Sequence, residues 1–274
     1  MKTFTKTFGI TRFAKLLAAV TMAASAGSVL AAVPTTWSLA TDCVSSPGSG
    51  GILGTTKACT GASAGTTLSA YSTTATGAKF ATANIYTYGS SGLGIVANGE
   101  GTGTGPHAMD NVGSLDAMMI KFTDVVNLTN VRIGWNGTDN TDAPTGYKDS
   151  DVAVWAWTGS GTPTDATELL TNGTTPNATI GASGLVGAGW ELIGNYNDVG
   201  LMTNNTALVT TTKTSSYWLV TAAFGAGIDN SGDSFKLLSV STQPSKVPEP
   251  GSLALLGLGL FGIAAARRKV QTKV

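Results

Sequence analysis

Charged residues, prolines and histidines are all scarce in this sequence. Asp, Glu, Lys and Arg together make up 12% of its 274 residues, 9 prolines stand against 36 glycines, and His107 is the only histidine. A Ser-His-Asp hydrolase would have this one imidazole to use, which argues against acyl-transfer chemistry. Many glycines and few prolines, with 42% hydrophobic residues, favour short strands joined by turns over a disordered chain.

The formal net charge is zero, but the charges are segregated along the chain. Four of the sixteen basic residues lie within the first fifteen positions, and four more lie at or after residue 267. Residues 33–246 hold the other eight bases and fifteen of the sixteen acids, a net charge of −7. Because an acidic surface repels phosphate backbones, we expect no nucleic-acid partner.

Residues 1–32 have the pattern of a secretory signal peptide. A basic region up to residue 15 precedes an apolar run at 16–24, and small residues follow at 28–32. The apolar run is too short for a stable membrane anchor. We therefore predict export, with cleavage by signal peptidase after Ala31 or Ala32.

Residues 245–274 combine a proline motif, an apolar run and a basic tail. The motif that begins this segment consists of Val247, Pro248, Glu249 and Pro250. A Leu-, Gly- and Ala-rich run at 252–266 follows and predicts a transmembrane helix, slightly short for the bilayer. The basic cluster that would stop transfer on the cytoplasmic side consists of Arg267, Arg268 and Lys269.

This order of motif, helix and basic tail resembles the PEP-CTERM sorting domain of Gram-negative bacteria. The resemblance implies that an integral-membrane exosortase recognises the tail and cleaves near the two prolines. It also implies a host that makes an exopolysaccharide and forms biofilm or floc. The protein would be held in the inner membrane before processing and then reach the cell surface or extracellular matrix. The alternative is an ordinary single-span anchor behind a proline-rich stalk.

Residues 33–244 form the predicted surface domain. Short β-branched or aromatic runs between Gly, Asn, Asp and Ser clusters predict eight strands. These are Thr36–Ala40, Lys79–Tyr88, Ala117–Phe122, Val125–Trp135, Val152–Trp157, Gly189–Tyr196, Tyr217–Phe224 and Phe235–Thr242. The pattern is typical of an all-β domain, a β-sandwich or jelly roll. The low-complexity stretch Thr55–Thr76 predicts a mobile loop.

Several segments of this domain also resemble one group of exosortase-dependent surface proteins. They are residues 92–95, 105–111, 131–135, 149–152, 217–220 and 233–237. This resemblance implies a shared surface domain and no particular activity.

Four sets of side chains are candidates for a structural or binding role. In an exported protein Cys43 and Cys59 are expected to form a disulfide, the alternative being two free thiols. His107, Asp110 and Asn111 either bind a ligand or fix a loop through hydrogen bonds. Trp155 and Trp157 share one face of a strand, as a sugar platform or as core. The acidic set, either a Ca²⁺ site or a solvated loop, is Asp139, Asp142, Asp149 and Asp151.

These observations predict a non-catalytic cell-surface or extracellular-matrix protein associated with exopolysaccharide or biofilm and sorted by exosortase. One alternative is a carbohydrate-binding module. A secreted polysaccharide hydrolase or lyase is the other, although no pair of carboxylates stands out in the sequence. The predicted partners are exosortase, signal peptidase, transiently the inner membrane, and extracellular polysaccharide. Apart from the Ca²⁺ alternative, no cofactor is predicted.

Overall fold

A computed structural model of the chain describes residues 35–44, 50–73, 80–97, 99–101, 107–112, 114–137, 150–163, 183–224, 232–245, 258–260 and 262–263. Residues 33–245 form one compact unit, and residues 1–32 together with 246–274 form a second. In the second unit, residues 258–260 and 262–263 are helical. The predicted signal peptide and the rest of the predicted C-terminal helix lie outside the described residues. Within the described ranges, no helix has both the length and the apolar character needed to span a bilayer.

The described part of the larger unit consists mainly of strands that join in one 14-stranded antiparallel sheet. The strands are β1 (Thr35–Trp37), β2 (Gly51–Gly54), β3 (Thr56–Ala58), β4 (Thr66–Thr73), β5 (Phe80–Thr82), β6 (Asn84–Thr87), β7 (Leu93–Val96), β8 (Met109–Asp110), β9 (Asp116–Asn136), β10 (Val152–Trp157), β11 (Trp190–Tyr196), β12 (Thr206–Leu208), β13 (Ser215–Ala222) and β14 (Ser234–Pro244). Two short α-helices are α1 (Leu39–Asp42) and α2 (Ser183–Ala188).

The 21-residue strand β9 organises the sheet. Its first half pairs with β4 and β13, and its second half pairs with β14 and β12. The main path through the sheet runs β11-β10-β13-β9-β14-β7-β6-β2. The predicted all-β class is therefore confirmed as an antiparallel sheet with few helices.

Large apolar side chains on alternating strand positions form the core. Met118, Ile120 and Phe122 of β9 are buried, whereas Lys121 between them is exposed. Because successive strand residues point to opposite faces, this alternation directs one face of β9 inward. The largest fully buried side chains include Trp155, Trp190, Trp218, Phe80, Phe122 and Phe235. Burial of each such side chain stabilises the fold by about 2–3 kcal/mol.

Several strand boundaries differ from the sequence prediction. The two strands expected at 117–122 and 125–135 are one continuous strand, β9. The run predicted at 79–88 is divided at Ala83 into β5 and β6. The first predicted strand is shorter than expected, because its last residues enter α1. β10 lies between β11 and β13 with Val152–Ala156 buried, as its unbroken apolar run predicts.

The prediction of a mobile loop at 55–76 is wrong for the described residues 55–73. This stretch contains β3 and β4, and β4 pairs with β9 over seven positions from Thr66 to Ser72. Thr66, Leu68 and Ala70 are buried at alternate positions. A strand made of Thr, Ser and Ala has the composition of a loop, and its period of two becomes clear only when its partner strand is known.

Candidate functional site

A lysine held between aromatic rings is the most distinctive side-chain arrangement of the sheet. Lys236 of β14 and Trp135 of β9 are cross-strand partners, and Tyr88 follows β6. The Lys236 Nζ lies 3.8 Å from the ring centroid of Trp135 and 3.8 Å from that of Tyr88. The Tyr86 ring lies beside Tyr88, with their centroids 4.7 Å apart. We call Tyr86, Tyr88, Trp135 and Lys236 the aromatic–lysine cluster.

Ring faces, rather than a carboxylate, stabilise the charge of Lys236. The residue is only 5% exposed, and burial lowers the pKa of its ammonium group. Among the described residues, no carboxylate lies within ion-pairing distance of it. A desolvated cation over an aromatic face gains on the order of 2 kcal/mol. The three rings are half-buried and leave part of their surface to solvent.

Two glycines allow the neighbouring chain segments to approach β7. Gly92 has φ +113°, and a Cβ there would lie 3.0 Å from the Lys236 Cβ and 2.9 Å from the carbonyl oxygen of Leu237. A Cβ on Gly94 would overlap the carbonyl oxygen of His107. Only glycine fits both positions without moving backbone. The Gly-Leu-Gly sequence therefore packs the lysine and the histidine against the same strand.

His107 is buried and hydrogen-bonded to an acid that the sequence analysis did not single out. Its Nδ1 lies 3.0 Å from Glu100 Oε1, and its ring centroid lies 5.0 Å from that of Tyr86. Glu100 Oε2 accepts the Ala97 backbone N–H at 3.0 Å. His107 and Glu100 thus tie their two segments together, which is the loop-fixing alternative. Glu100 remains exposed, so the pair also borders solvent.

Asn111 is the hub of a polar network that joins three segments. Its Nδ2 donates to the carbonyl oxygen of Ala223 at 2.9 Å and to Asp233 Oδ2 at 3.1 Å. Its Oδ1 accepts the Asp233 backbone N–H at 2.9 Å. Asp233 Oδ1 in turn accepts the backbone N–H of Asp151 at 2.7 Å. This side chain therefore holds its loop in place, and its hydrogen-bonding groups are engaged within the protein.

Asp110 and Asp116 are a carboxyl pair in which Asp110 is half-buried and Asp116 is buried. The Asp110 backbone N–H donates to Asp116 Oδ2 at 3.3 Å. Burial raises the pKa of Asp110 to about 7. The hydrogen bond from the Val112 backbone N–H lowers this pKa, and the negative charge of Glu100 raises it by a smaller amount. Burial, followed by the charge of Asp110, raises the pKa of Asp116 well above its usual range. At neutral pH this pair can hold a proton that exposed carboxyl groups would have lost.

The two candidate tryptophans of β10 differ in exposure. Trp155 is 1% exposed and stacks on Phe224 with centroids 5.6 Å apart. Trp157 is half-buried, donates through Nε1 to the carbonyl oxygen of Gly161, and meets Trp190 edge to face. A buried indole has no face to offer an external sugar, so Trp155 is a core residue.

Most of the predicted Ca²⁺ ligands lie outside the described residues. These are Asp139, Asp142 and Asp149. Asp151 is described and buried, and its Oδ1 accepts the Asp198 backbone N–H at 2.8 Å. Within the described ranges, no three His, Cys, Asp or Glu side chains are grouped to hold a metal ion. The Ca²⁺ site stays a prediction.

Cys43 and Cys59 are joined by a disulfide that connects α1 to the segment before β4. Next to it, residues 61–65 match the Gly-x-Ser-x-Gly pattern of serine hydrolases. Ser63 lies in a 3-10 helix rather than in a strand-to-helix turn, and its Oγ donates to Asp42 Oδ2 at 2.6 Å. Its hydroxyl therefore helps to close the disulfide-bonded loop.

The aromatic–lysine cluster and the carboxyl pair contain residues that the sequence analysis missed. For Trp135 and Lys236 the available signal was their position in segments that resemble one group of surface proteins, whereas Tyr86, Tyr88 and Asp116 lie outside those segments. Residues 92–94, 107–111, 135 and 233–236 are distant in sequence, yet they meet around Lys236, His107 and Asn111. Pairing of β14 with β7, β8 and β9 brings them together.

One protein-family model matches the C-terminal segment. Residues 246–269 match the PEP-CTERM protein-sorting motif. The predicted PEP-CTERM sorting motif is thereby confirmed, and it indicates exosortase-dependent sorting to the cell surface. Such sorting implies export and membrane anchoring before exosortase cleavage. No curated protein matches the chain.

Proposed function

We propose that this PEP-CTERM protein is a non-catalytic component of the cell surface or extracellular matrix. The observation that carries the proposal is the sorting motif at residues 246–269, directly after the last described residue of the β domain, Ser245. Exosortase would remove the tail after the C-terminal helix has held the exported chain in the inner membrane. The β domain would then be the mature product.

The disulfide and the surface chemistry of the β domain support an extracellular location. A bond between Cys43 and Cys59 persists in oxidising compartments and is rare in the reducing cytosol. The domain is acidic and rich in Gly, Thr and Asn, a composition that keeps it hydrated among polysaccharide chains. Its proposed role is to lie within exopolysaccharide as part of a biofilm or floc.

In this proposal the sheet closes on itself as a β-sandwich, with the turn inside β9. Fully extended, the 21 residues of β9 would span about 70 Å. Both ends of β9 nevertheless approach β8. At the start of β9, Asp116 accepts a hydrogen bond from Asp110 of β8. At the end of β9, Asn136 pairs with Phe235 of β14, and the preceding residue of β14, Ser234, pairs with Asp110. A strand whose two ends approach the same residue must fold back between them, which supports two layers.

Processing by exosortase is tested in host cells with and without that enzyme. In wild-type cells we expect a mature protein whose mass places its C-terminus near Pro248–Pro250. In cells without exosortase the full tail should remain and the protein should fractionate with the membrane. Replacing both Pro248 and Pro250 by Ala should preserve the tail, whereas Thr272→Ala, beyond the motif, should be processed normally. A product that still carries Arg267 in wild-type cells would refute the proposal.

A carbohydrate-binding module is the second candidate, favoured by the half-buried rings of Tyr86, Tyr88 and Trp135. Aromatic faces stack on the C–H faces of sugars, and these three rings lie on neighbouring parts of one sheet. Binding predicts retention on the host exopolysaccharide and a change in tryptophan fluorescence, both reduced in Trp135→Ala. Trp37→Ala, which alters a half-buried indole of β1, is the matched control. Release of reducing ends would instead indicate a hydrolase.

A further inference from the structure

A line of neighbouring side chains crosses the sheet from β2 to β9. Ile52 of β2 is the cross-strand partner of Tyr86 of β6, so these two side chains lie side by side on one face. The ring centroids of Tyr86 and Tyr88 are 4.7 Å apart. The Lys236 Nζ lies 3.8 Å from the ring centroids of both Tyr88 and Trp135, which extends the line to β9. We call the aromatic–lysine cluster together with Ile52 the aromatic row.

The aromatic row lies on the solvent-facing side of its strands. Ile85 and Leu237, which adjoin Tyr86 and Lys236 along their strands, are fully buried. Because successive strand residues point to opposite faces, the side chains of the row point away from the core. Ile52 is 44% exposed, and the three rings are half-buried. The row therefore presents apolar and aromatic surface to the medium.

The length of the row fits a chain of sugars better than a single sugar. The strands β9, β14, β7, β6 and β2 are consecutive in the sheet. Neighbouring strands lie about 4.8 Å apart, so the four intervals place Trp135 and Ile52 at the ends of a platform about 19 Å long. Aromatic faces pack against the C–H faces of sugar rings, and this platform has room for several rings in line. A linear glycan lying across the strands matches its shape.

The charges of the row and its border favour an uncharged glycan. The one cation in the row, Lys236, is 5% exposed and lies against two rings, so it is not placed to pair with the carboxylate of an acidic sugar. Glu100, whose side chain is 41% exposed, bonds His107, and the ring of His107 lies 5.0 Å from that of Tyr86. The negative charge of Glu100 and the net charge of −7 on residues 33–246 both repel acidic sugars.

We propose that the aromatic row binds a neutral, linear glycan that lies across the strands. Tyr86, Tyr88 and Trp135 stack on successive sugars, and Ile52 contacts the far end of a longer chain. Lys236 is a positioning residue, because its ammonium group holds the Tyr88 and Trp135 rings without touching the glycan. This inference rests on the carbohydrate-binding candidate described above and adds the length of the site, the direction of the bound chain and its charge.

Calorimetry with the full chain, kept in a detergent that has no sugar group, tests the preference of the row. The neutral probes are β-1,4-linked oligomers of glucose, mannose and xylose, and the anionic counterparts are oligogalacturonates of the same lengths. We expect at least one neutral series to bind, with an affinity that rises from the disaccharide to the tetrasaccharide. Oligogalacturonates should bind at least about tenfold more weakly than that series.

Substitutions at the two ends of the row test its location. Trp135→Ala removes a stacking face and should weaken the binding of every neutral oligomer about tenfold. Ile52→Thr alters an exposed side chain, so it also serves if Trp135→Ala does not fold. It should weaken the binding of long oligomers and leave that of the disaccharide unchanged. Leu208→Thr, which alters an exposed leucine of β12, is the matched control and should bind like the wild type.

The positioning role of Lys236 is tested by two replacements. Lys236→Met removes the charge that holds the rings and should weaken neutral binding, whereas Lys236→Arg keeps a cation against them and should retain it. Equal losses in both variants would contradict this role.

The outcomes separate this inference from the candidate on which it rests. Preference for oligogalacturonates, or unchanged binding in both Trp135→Ala and Ile52→Thr, would overturn the inference and leave carbohydrate binding in place. Absence of binding to every series would overturn both. Exosortase processing is measured independently and depends on neither.

Discussion

Removal of the disulfide should destabilise the β domain by an amount set by the loop that it closes. Cys43 and Cys59 are separated by 16 positions. A loop of this size restricts the unfolded chain enough to stabilise the folded state by about 3 kcal/mol in the chain-entropy model. For a domain of this size, about 3 kcal/mol corresponds to a fall in melting temperature of about 6–12 °C.

The hydrogen bonds around the disulfide should survive its removal. The Thr60 N–H donates to the Asp42 carbonyl oxygen at 2.8 Å, and the Cys59 N–H donates to that of Thr66 at 2.9 Å. These contacts do not depend on the sulfur atoms. The loss in the double variant Cys43→Ala/Cys59→Ala should therefore arise mainly in the unfolded state, together with a small packing cost for two buried residues.

Urea and thermal unfolding, followed by tryptophan fluorescence, measure this loss. Reductant should lower the melting temperature of the wild type by nearly the same amount, because reduction breaks the bond but keeps both sulfur atoms in the core. The double variant should not respond to reductant. A wild-type protein whose stability is unchanged by full reduction, verified by thiol labelling, would refute the loop-entropy argument.

Two further substitutions test a close approach of the backbone and a buried hydrogen bond. Gly94→Ala forces a methyl group onto the His107 carbonyl oxygen and should lower the free energy of unfolding by about 1–3 kcal/mol, measured by urea unfolding. The control is Gly51→Ala, whose added Cβ has no atom within 4 Å and should change that free energy by no more than about 0.5 kcal/mol. Asn111→Asp replaces the amide donor that bonds Asp233 by a second carboxylate and should cost about 3 kcal/mol at neutral pH. Acidification toward about pH 4 should recover most of that loss relative to the wild type, and equal losses at both pH values would contradict the repulsion argument.

Strand prediction from sequence succeeded where β-branched and aromatic residues form an unbroken run between polar segments. Val152–Trp157 is apolar on both faces, and the structure places it between two other strands. The same reasoning failed for β4, where Thr66, Leu68 and Ala70 are buried among residues typical of loops. Burial of small side chains depends on the partner strand β9, and pairing between distant segments is not encoded in local composition.

The candidate site was predictable only in part. His107, Asp110 and Asn111 attracted attention as a rare polar group, and all three make defined contacts. Their partners Glu100 and Asp116 did not stand out, because an acid in a loop and an acid at the start of a strand are ordinary in sequence. Burial and proximity made them unusual, and both are tertiary properties.

Sequence alone identified the sorting motif of this protein, because that motif consists of local features: two prolines, an apolar run and a basic tail, in that order along the chain. The all-β class also followed from local pattern. The tertiary structure decided which side chains meet. Antiparallel pairing of β14 with β7 and β9 sets Lys236 between Tyr88 and Trp135, because the register of a sheet juxtaposes residues that are about a hundred positions or more apart in sequence.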